Sequence, residues 1–298
     1  MANLEKTTIR LTVGDRVFYA LVDVFLIFIF IIVAIPMWST ITLSFRPNTF
    51  IGSNLEGMFL SPSRWSFSAY HALLGGQRFP LALFNSLQVF VFGVATALFL
   101  TIPMAYVLSI KTLPGRKFLT IIILIPYLFS VGLIPAYFVV RDLKLTDTLA
   151  SIYLPVAIST YNCLIMRSFF EGIPDELKES ARIDGAAEIT VLLRIILPLS
   201  KPIIMTIGLY YGVAFWNDFF HAMLYISKNE LQPLPILLRN ILMASGMNEF
   251  VEVSAFGEAP VQAIKAASVF MSAIPMILAY PFIQKYFTKG TLLGSVKG

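Results

Sequence analysis

Long apolar runs separated by polar connections dominate the pattern of this chain. Six stand out, at about residues 19–44, 81–110, 118–140, 148–170, 198–225 and 261–286. None alternates with period two, so none reads as a barrel strand. A helical crossing needs about 20 apolar residues, and inside a bilayer only helices or closed barrels satisfy the backbone. The pattern therefore predicts an all-α integral membrane protein with six transmembrane helices in a single domain over residues 1–298. The first run is too long for the apolar core of a cleaved signal and reads as a retained crossing.

The connections differ in length and charge. With the N-terminus placed inside, 14 Lys and Arg fall on the inner side and 8 on the outer. That bias follows the positive-inside rule, and six crossings return the C-terminus to the cytoplasm. Three connections are long: 171–197 on the cytoplasmic side, and 45–80 and 226–260 outside.

Composition sharpens the class. Of the 298 residues 57% are hydrophobic and only 13% charged, with a mean hydropathy of +0.80, against roughly 25% charged in a soluble domain. The net charge of +5 does not imply nucleic acid, because the basic residues lie at the ends of apolar runs rather than on one face. Cys163 is the sole cysteine, which excludes an intrachain disulfide, and His71 and His221 have no metal-ligand spacing. There is no Gly-x-x-x-x-Gly-Lys-Ser/Thr for a nucleotide. No nucleophile and base pair up for catalysis. A secondary carrier should place paired ionisable residues in several spans, whereas here the apolar runs hold mainly Asp23, near the start of the first, and Asp218 in the fifth, with Arg167, Lys201 and Lys265 at run ends where they can snorkel.

The cytoplasmic connection carries the strongest signal. Pro174 suits a first helical turn, with Asp175 and Glu176 complementing the helix dipole. Leu177, Ala181 and Ile183 place apolar groups along one side of this short helix. Gly185 permits a tight turn, Asp184 is positioned to cap a second helix over 186–196, and Pro198 closes that helix and opens the fifth span. Helix, sharp turn and helix make a compact knob.

Glu179, Ser180, Ala181, Gly185, Ile195, Leu197 and Pro198 stand at the spacings of the pattern Glu-Ala-Ala, three residues, Gly, nine residues, Ile-x-Leu-Pro, with Asp184 and Ala186 flanking the glycine. This resembles the EAA loop of bacterial ABC importer permeases; Ser180 in place of Ala is the one departure. The resemblance implies the type I importer permease fold, in the bacterial cytoplasmic membrane. It makes the knob a coupling helix seated in a cleft of an ATPase subunit, with Glu179 in polar contact and Gly185 setting the shape. ATP and Mg would be held by that partner, with no cofactor in this chain. Ile173-Pro174-x-Glu176-Leu177, Trp216-Asn217-Asp218-Phe219 and the tail from Pro281 to Gly298 are similar to the sugar-importer branch, above all the six-span maltose-transporter permease and its oligosaccharide relatives. Such permeases pair with a second homologous permease, two ATPase subunits and an extracytoplasmic solute-binding protein, which the 226–260 loop resembles a segment for reaching.

Several polar and small residues in the spans need partners. Gly208 and Gly212 form a Gly-x-x-x-Gly that lets a helix approach closely, either within this chain or from the partner permease. Asn217 and Asp218 are costly in lipid; they line the sugar path or anchor a helix end. Asn85, Gln88 and Asn162 are further candidates for the path. His221, Arg239 and Lys265, toward the outer side, make an acidic oligosaccharide a candidate cargo.

Overall fold

The computed structural model describes residues 12–50, 53–129, 131–243 and 259–294, and every regular element among them is helical. By length and composition three helices can cross a membrane: Val13–Ser44, Arg78–Ser109 and Val261–Pro281. Two bent pairs bring the number to five if each is one span, Arg116–Leu128 with Leu133–Asp142 and Glu188–Leu199 with Lys201–Trp216. The expected fourth run, 148–170, is not one helix. Ala150–Tyr153 passes into a 3-10 turn, Leu154–Val156, and a new helix, Thr160–Glu171, starts behind Ser159. Pro155 lacks the N–H that would continue the α-helical ladder, and the Ser159 side chain accepts from the Asn162 N–H instead.

The chain divides into two compact units. The first takes its described residues from 1–71 and 258–270. Its helix Val13–Ser44 opens with a capping box in which Thr12 and Asp15 bond each other's backbone. From Val13 to Trp38 its apolar side chains stand exposed on all sides, as expected of a helix whose solvent is lipid. Its C-terminal end is ordered by packing. Phe45 stacks on Trp65 at 4.6 Å, and the Ser44 and Tyr70 hydroxyls bond at 2.6 Å.

The second unit, with described residues from 72–257 and 271–298, is organised around Arg78–Ser109. Val89, Gly93, Ala97, Thr101 and Ala105 recur every four residues on its buried face, so small side chains form one ridge. Lys201–Trp216 and Thr160–Glu171 pack against this helix. A Cβ on Gly93 would lie 2.8 Å from Phe215, and one on Gly212 would lie 2.6 Å from Phe90. Gly208 faces Leu98 in the same interface, at 3.4 Å. The Gly208–Gly212 pair therefore brings two helices of this chain together, and its small side is occupied from within. The Tyr211 hydroxyl joins three segments, bonding Thr101 at 2.8 Å and accepting from the Ser159 N–H at 2.9 Å. That contact satisfies a backbone donor at the break in the fourth run.

The fifth run is likewise divided. Lys201–Trp216 ends at Asn217, and a short helix, Phe220–Tyr225, follows. At its other end Leu192–Ile196 is wound as a π-helix, and an 84° bend separates Glu188–Leu199 from Lys201–Trp216. Pro198 does not close the second loop helix as expected. It lies within the turn Leu197–Leu199, and the break falls at Ser200. The wider π winding makes room for a proline ring that would crowd the carbonyl four residues back.

Candidate functional site

The knob is built from short-range rules. Pro174, with φ −50° and ψ 130°, precedes a helix over Asp175–Ile183. Lys178 folds back into the protein, its Nζ 3.0 Å from Asp175 Oδ1 and donating to the Phe170 carbonyl at 3.3 Å. Lys111 approaches the other carboxylate oxygen of Asp175 at 3.7 Å. The Lys178 hydrogen bond and charge, with Lys111 behind them, hold the Asp175 carboxyl below its usual range.

The end of this helix explains the motif spacing. Asp184 is its C-cap and Gly185 follows at φ +82°. The Ala186 N–H donates to the Ala181 carbonyl at 2.9 Å, and the Gly185 N–H to that of Arg182 at 3.0 Å. These two bonds define a Schellman turn, which needs a left-handed residue at the glycine position and sets apolar contacts on either side of it. Ala181 and Ala186 are those contacts, both packed against the core. Asp184 thus closes the first helix rather than capping the second. The second begins at Glu188, with Ala187 at its N-cap and no capping side chain.

Glu188 fastens the knob to the body. Arg182 Nε donates to its Oε1 at 2.7 Å, and the Tyr106 hydroxyl from the Arg78–Ser109 helix donates to its Oε2 at 2.6 Å. Two loop segments and one long helix therefore meet at one carboxylate. Ile195 and Leu197 lean on the core behind this junction, while Pro198 is exposed.

The outward side differs from expectation. Leu177, Ala181 and Ile183 do not share a face: Ala181 turns inward, whereas Leu177 and Ile183 point out, Ile183 at 86% exposure. The buried position that completes the inner face belongs to Lys178, whose ammonium is satisfied locally and whose stem packs. Ile189 and Leu193 extend the exposed apolar surface along the second helix. Glu179 is exposed and lies on a groove shared with Ser109, Lys111 and Arg182.

A second polar cluster locks the neighbouring helices. Glu171 receives Arg167 Nε at 2.8 Å and also pairs with Arg116 NH2, whose Nε donates to the Leu108 carbonyl at 2.7 Å. No sequence signal beyond the i, i+4 spacing of Arg167 and Glu171 announced this contact.

The path candidates are not brought together. Asn85 is buried and donates to the carbonyls of Glu230, at 2.8 Å, and Gln232, at 3.3 Å. Asn217 donates to the Val213 carbonyl at 2.8 Å and caps its helix. Asp218 accepts from the His221 N–H at 3.0 Å and holds the ring Nδ1 at 2.7 Å. These three serve helix ends and a loop. Gln88 is half-buried, and Asn162 is buried on Thr160–Glu171. Of the 226–260 connection, residues 244–258 lie outside the described residues.

Residues 97–292 match the family described as "Binding-protein-dependent transport system inner membrane component". LplC of Bacillus subtilis is 41% identical over 82% of this chain and 83% of its own length. The "Polygalacturonan/rhamnogalacturonan transport system permease protein YtcP" of the same organism is 39% identical over 95% and 99%. A solved structure described as a bacterial ABC transporter importing the acidic polysaccharide alginate contains a chain that is 32% identical. That chain superposes with a TM-score of 0.83 over 94% of this chain and all of its own. The chain belongs to the binding-protein-dependent transport system inner membrane component family and is a permease subunit of an ABC importer.

Proposed function

We propose that this permease moves acidic oligosaccharides inward across the bacterial cytoplasmic membrane, driven by an ATPase that docks on the knob at 171–198. In this reading the chain has six spans with both termini cytoplasmic. It works beside a second homologous permease, two ATPase subunits that hold ATP and Mg, and an external solute-binding protein. The observation that carries the coupling is the Schellman turn at Gly185. It fixes Ala181 and Ala186 inward and leaves Glu179, Leu177 and Ile183 on the free side. A rigid projection with a polar residue between apolar ones suits a cleft in a partner, and its fastening to Tyr106 gives partner motion a lever on a long helix. The acidic class is supported by a relative named for polygalacturonan and rhamnogalacturonan and by the alginate importer, whereas the relatives named for arabinooligosaccharides, which are neutral, support oligosaccharides in general.

The test is co-expression with the neighbouring transport genes. The ATPase should co-purify with the intact chain and be lost or weakened with Glu179→Arg, and membrane vesicles should take up acidic oligomers only with ATP. An intact chain that purifies alone and moves sugar without ATP would replace the importer with a self-sufficient carrier. Equal uptake of neutral and acidic oligomers would remove the acidic preference.

A further inference from the structure

The bend at Ser200, inside the second unit, holds a polar atom left unpaired. Ser200 is fully buried, and among the described residues its hydroxyl is the one buried side-chain oxygen or nitrogen without a hydrogen-bond partner. Folded proteins rarely leave such a group unsatisfied, because burial strips it of water and returns nothing. An idle buried hydroxyl at a bend points to a second arrangement of the chain in which it is bonded.

The residue type and its place say which bond that is. Ser200 stands at the N-cap of Lys201–Trp216. Serine favours that position because its oxygen can accept an N–H from the second or third helical residue. Pro202 is the second residue and has no N–H, which leaves Ile203. Yet Ser200 makes no side-chain cap bond. Two residues that do cap helices in this chain show why. Ser159 accepts from the Asn162 N–H with φ −97° and ψ 119°, and Thr12 accepts from the Asp15 N–H with φ −70° and ψ 165°. Ser200 has φ −98° but ψ 9°. Its φ is that of Ser159, so rotation about one bond, Cα–C, separates it from a working cap.

That bond is a natural axis for a swing. The Ser200 N–H donates to the carbonyls of Ile196, at 2.9 Å, and Leu197, at 3.2 Å, and its own carbonyl accepts from the Ile204 N–H at 3.0 Å. Turning ψ keeps the first two, which lie on the N-terminal side, and an N-cap carbonyl goes on accepting the first helical bond. What changes is the angle, 84° here, between Glu188–Leu199 and Lys201–Trp216. Both arms touch the Arg78–Ser109 helix, one through Glu188 and Tyr106 at 2.6 Å, the other through Tyr211 and Thr101 at 2.8 Å. A swing at Ser200 therefore draws Glu188 away from Tyr106 while the Ser200 hydroxyl gains a partner. One bond is exchanged for another, which keeps the two arrangements close in free energy.

We propose that Ser200 is a two-state hinge between the knob and the fifth span. In the arrangement described here Glu188 holds Tyr106 and the Ser200 hydroxyl is idle; in the other the hydroxyl caps Ile203 and the Glu188–Tyr106 bond is open. Ser200 is then a positioning residue for transport. It acts by stabilising the second arrangement and touches neither sugar nor nucleotide. The hinge rests on the functional reading above, since an ATPase seated on the knob is what turns it.

The whole transporter, in nanodiscs with its ATPase, would be compared by hydrogen exchange without nucleotide and with a non-hydrolysable ATP analogue. Exchange of the Ile203 amide should be about tenfold slower in one of the two conditions than in the other. Ser200→Ala should remove that difference. In the fast-exchanging condition it should leave the thermal midpoint unchanged or raise it, because it deletes an idle hydroxyl. ATP-driven uptake should slow about fivefold, the fold-change of one lost serine cap, with the ATPase still retained. Tyr106→Phe should act the other way and slow Ile203 exchange in the fast-exchanging condition, since the competing bond is gone. Equal wild-type exchange of Ile203 in both conditions overturns the hinge. So does a lower midpoint for Ser200→Ala in the fast-exchanging condition, which would mean that the hydroxyl is already bonded, to a buried water for example. The importer reading survives either result. A wild-type chain that retains no ATPase and takes up no sugar with ATP would remove that reading and the hinge with it.

Discussion

At the residue scale, glycines separate backbone need from space need. Gly185 has open space where a Cβ would stand but a φ of +82°. Gly185→Ala should therefore cost about 1–2 kcal/mol, the penalty of a left-handed L-residue, without any clash. Gly185→Pro should abolish the turn, because it forbids that φ and removes the N–H bonded to Arg182. Hydrogen exchange at residues 181–186 would rank wild type, Ala and Pro in that order of protection. Gly212 is the reverse case: its helical backbone suits any residue, yet a Cβ would lie 2.6 Å from Phe90. Gly212→Val should lose about 1–3 kcal/mol by overpacking, whereas Gly208→Ala, with 3.4 Å to Leu98, should be tolerated. Thermal unfolding of the two variants in detergent checks the difference.

At the scale of elements, the knob depends on side chains that reach to other helices. Tyr106→Phe deletes a charge-assisted bond to Glu188 that is partly buried, at a cost of about 1.5–3 kcal/mol. Arg182→Gln deletes a more exposed pair and should cost at most about 1 kcal/mol. Faster exchange across 186–191 in the Phe variant than in the Gln variant is the expected readout. The first turn responds to acid. Asp175 is held below its usual value by Lys178, so its contribution is complete above the unfolded carboxyl pKa of about 3.9. The contribution is lost as pH falls through the lower folded value. Exchange protection in residues 175–179, taken relative to the intrinsic amide rate at each pH, should therefore be flat from neutral pH down to about pH 4 and fall below it, and Asp175→Asn should remove the acid step.

At the scale of the whole molecule, two buried or half-buried polar residues tie distant parts of the second unit together. Asn85 carries the loop at 230–232 from 145 residues away in sequence. Asn85→Leu orphans two carbonyls and should cost about 1–3 kcal/mol, with uptake falling more than ATPase co-purification, since the knob lies elsewhere. Glu171 does the same for Arg116 and Arg167. Glu171→Ala leaves two half-buried guanidiniums facing each other and should lower the thermal midpoint, a loss that Arg116→Met in the same chain should partly reverse.

The class, the helical content and the place of the knob follow from sequence alone, because lipid demands long apolar helices and a Schellman turn demands glycine between small apolar residues at fixed offsets. Local hydrogen bonding determines such features, so spacing records them. Which side of the knob faces in was not legible. Periodicity places Leu177, Ala181 and Ile183 along one side, yet only Ala181 turns in, and the body also accepts Lys178, whose ammonium the Phe170 carbonyl and Asp175 satisfy. The interruptions at Ser159 and Ser200 were equally hidden, since proline marks a weakness in a helix but neighbours decide where it breaks. Nor could composition tell Asn85 on a sugar path from Asn85 under a loop. Its partners lie 145 and 147 residues away, and only the folded chain brings them within reach.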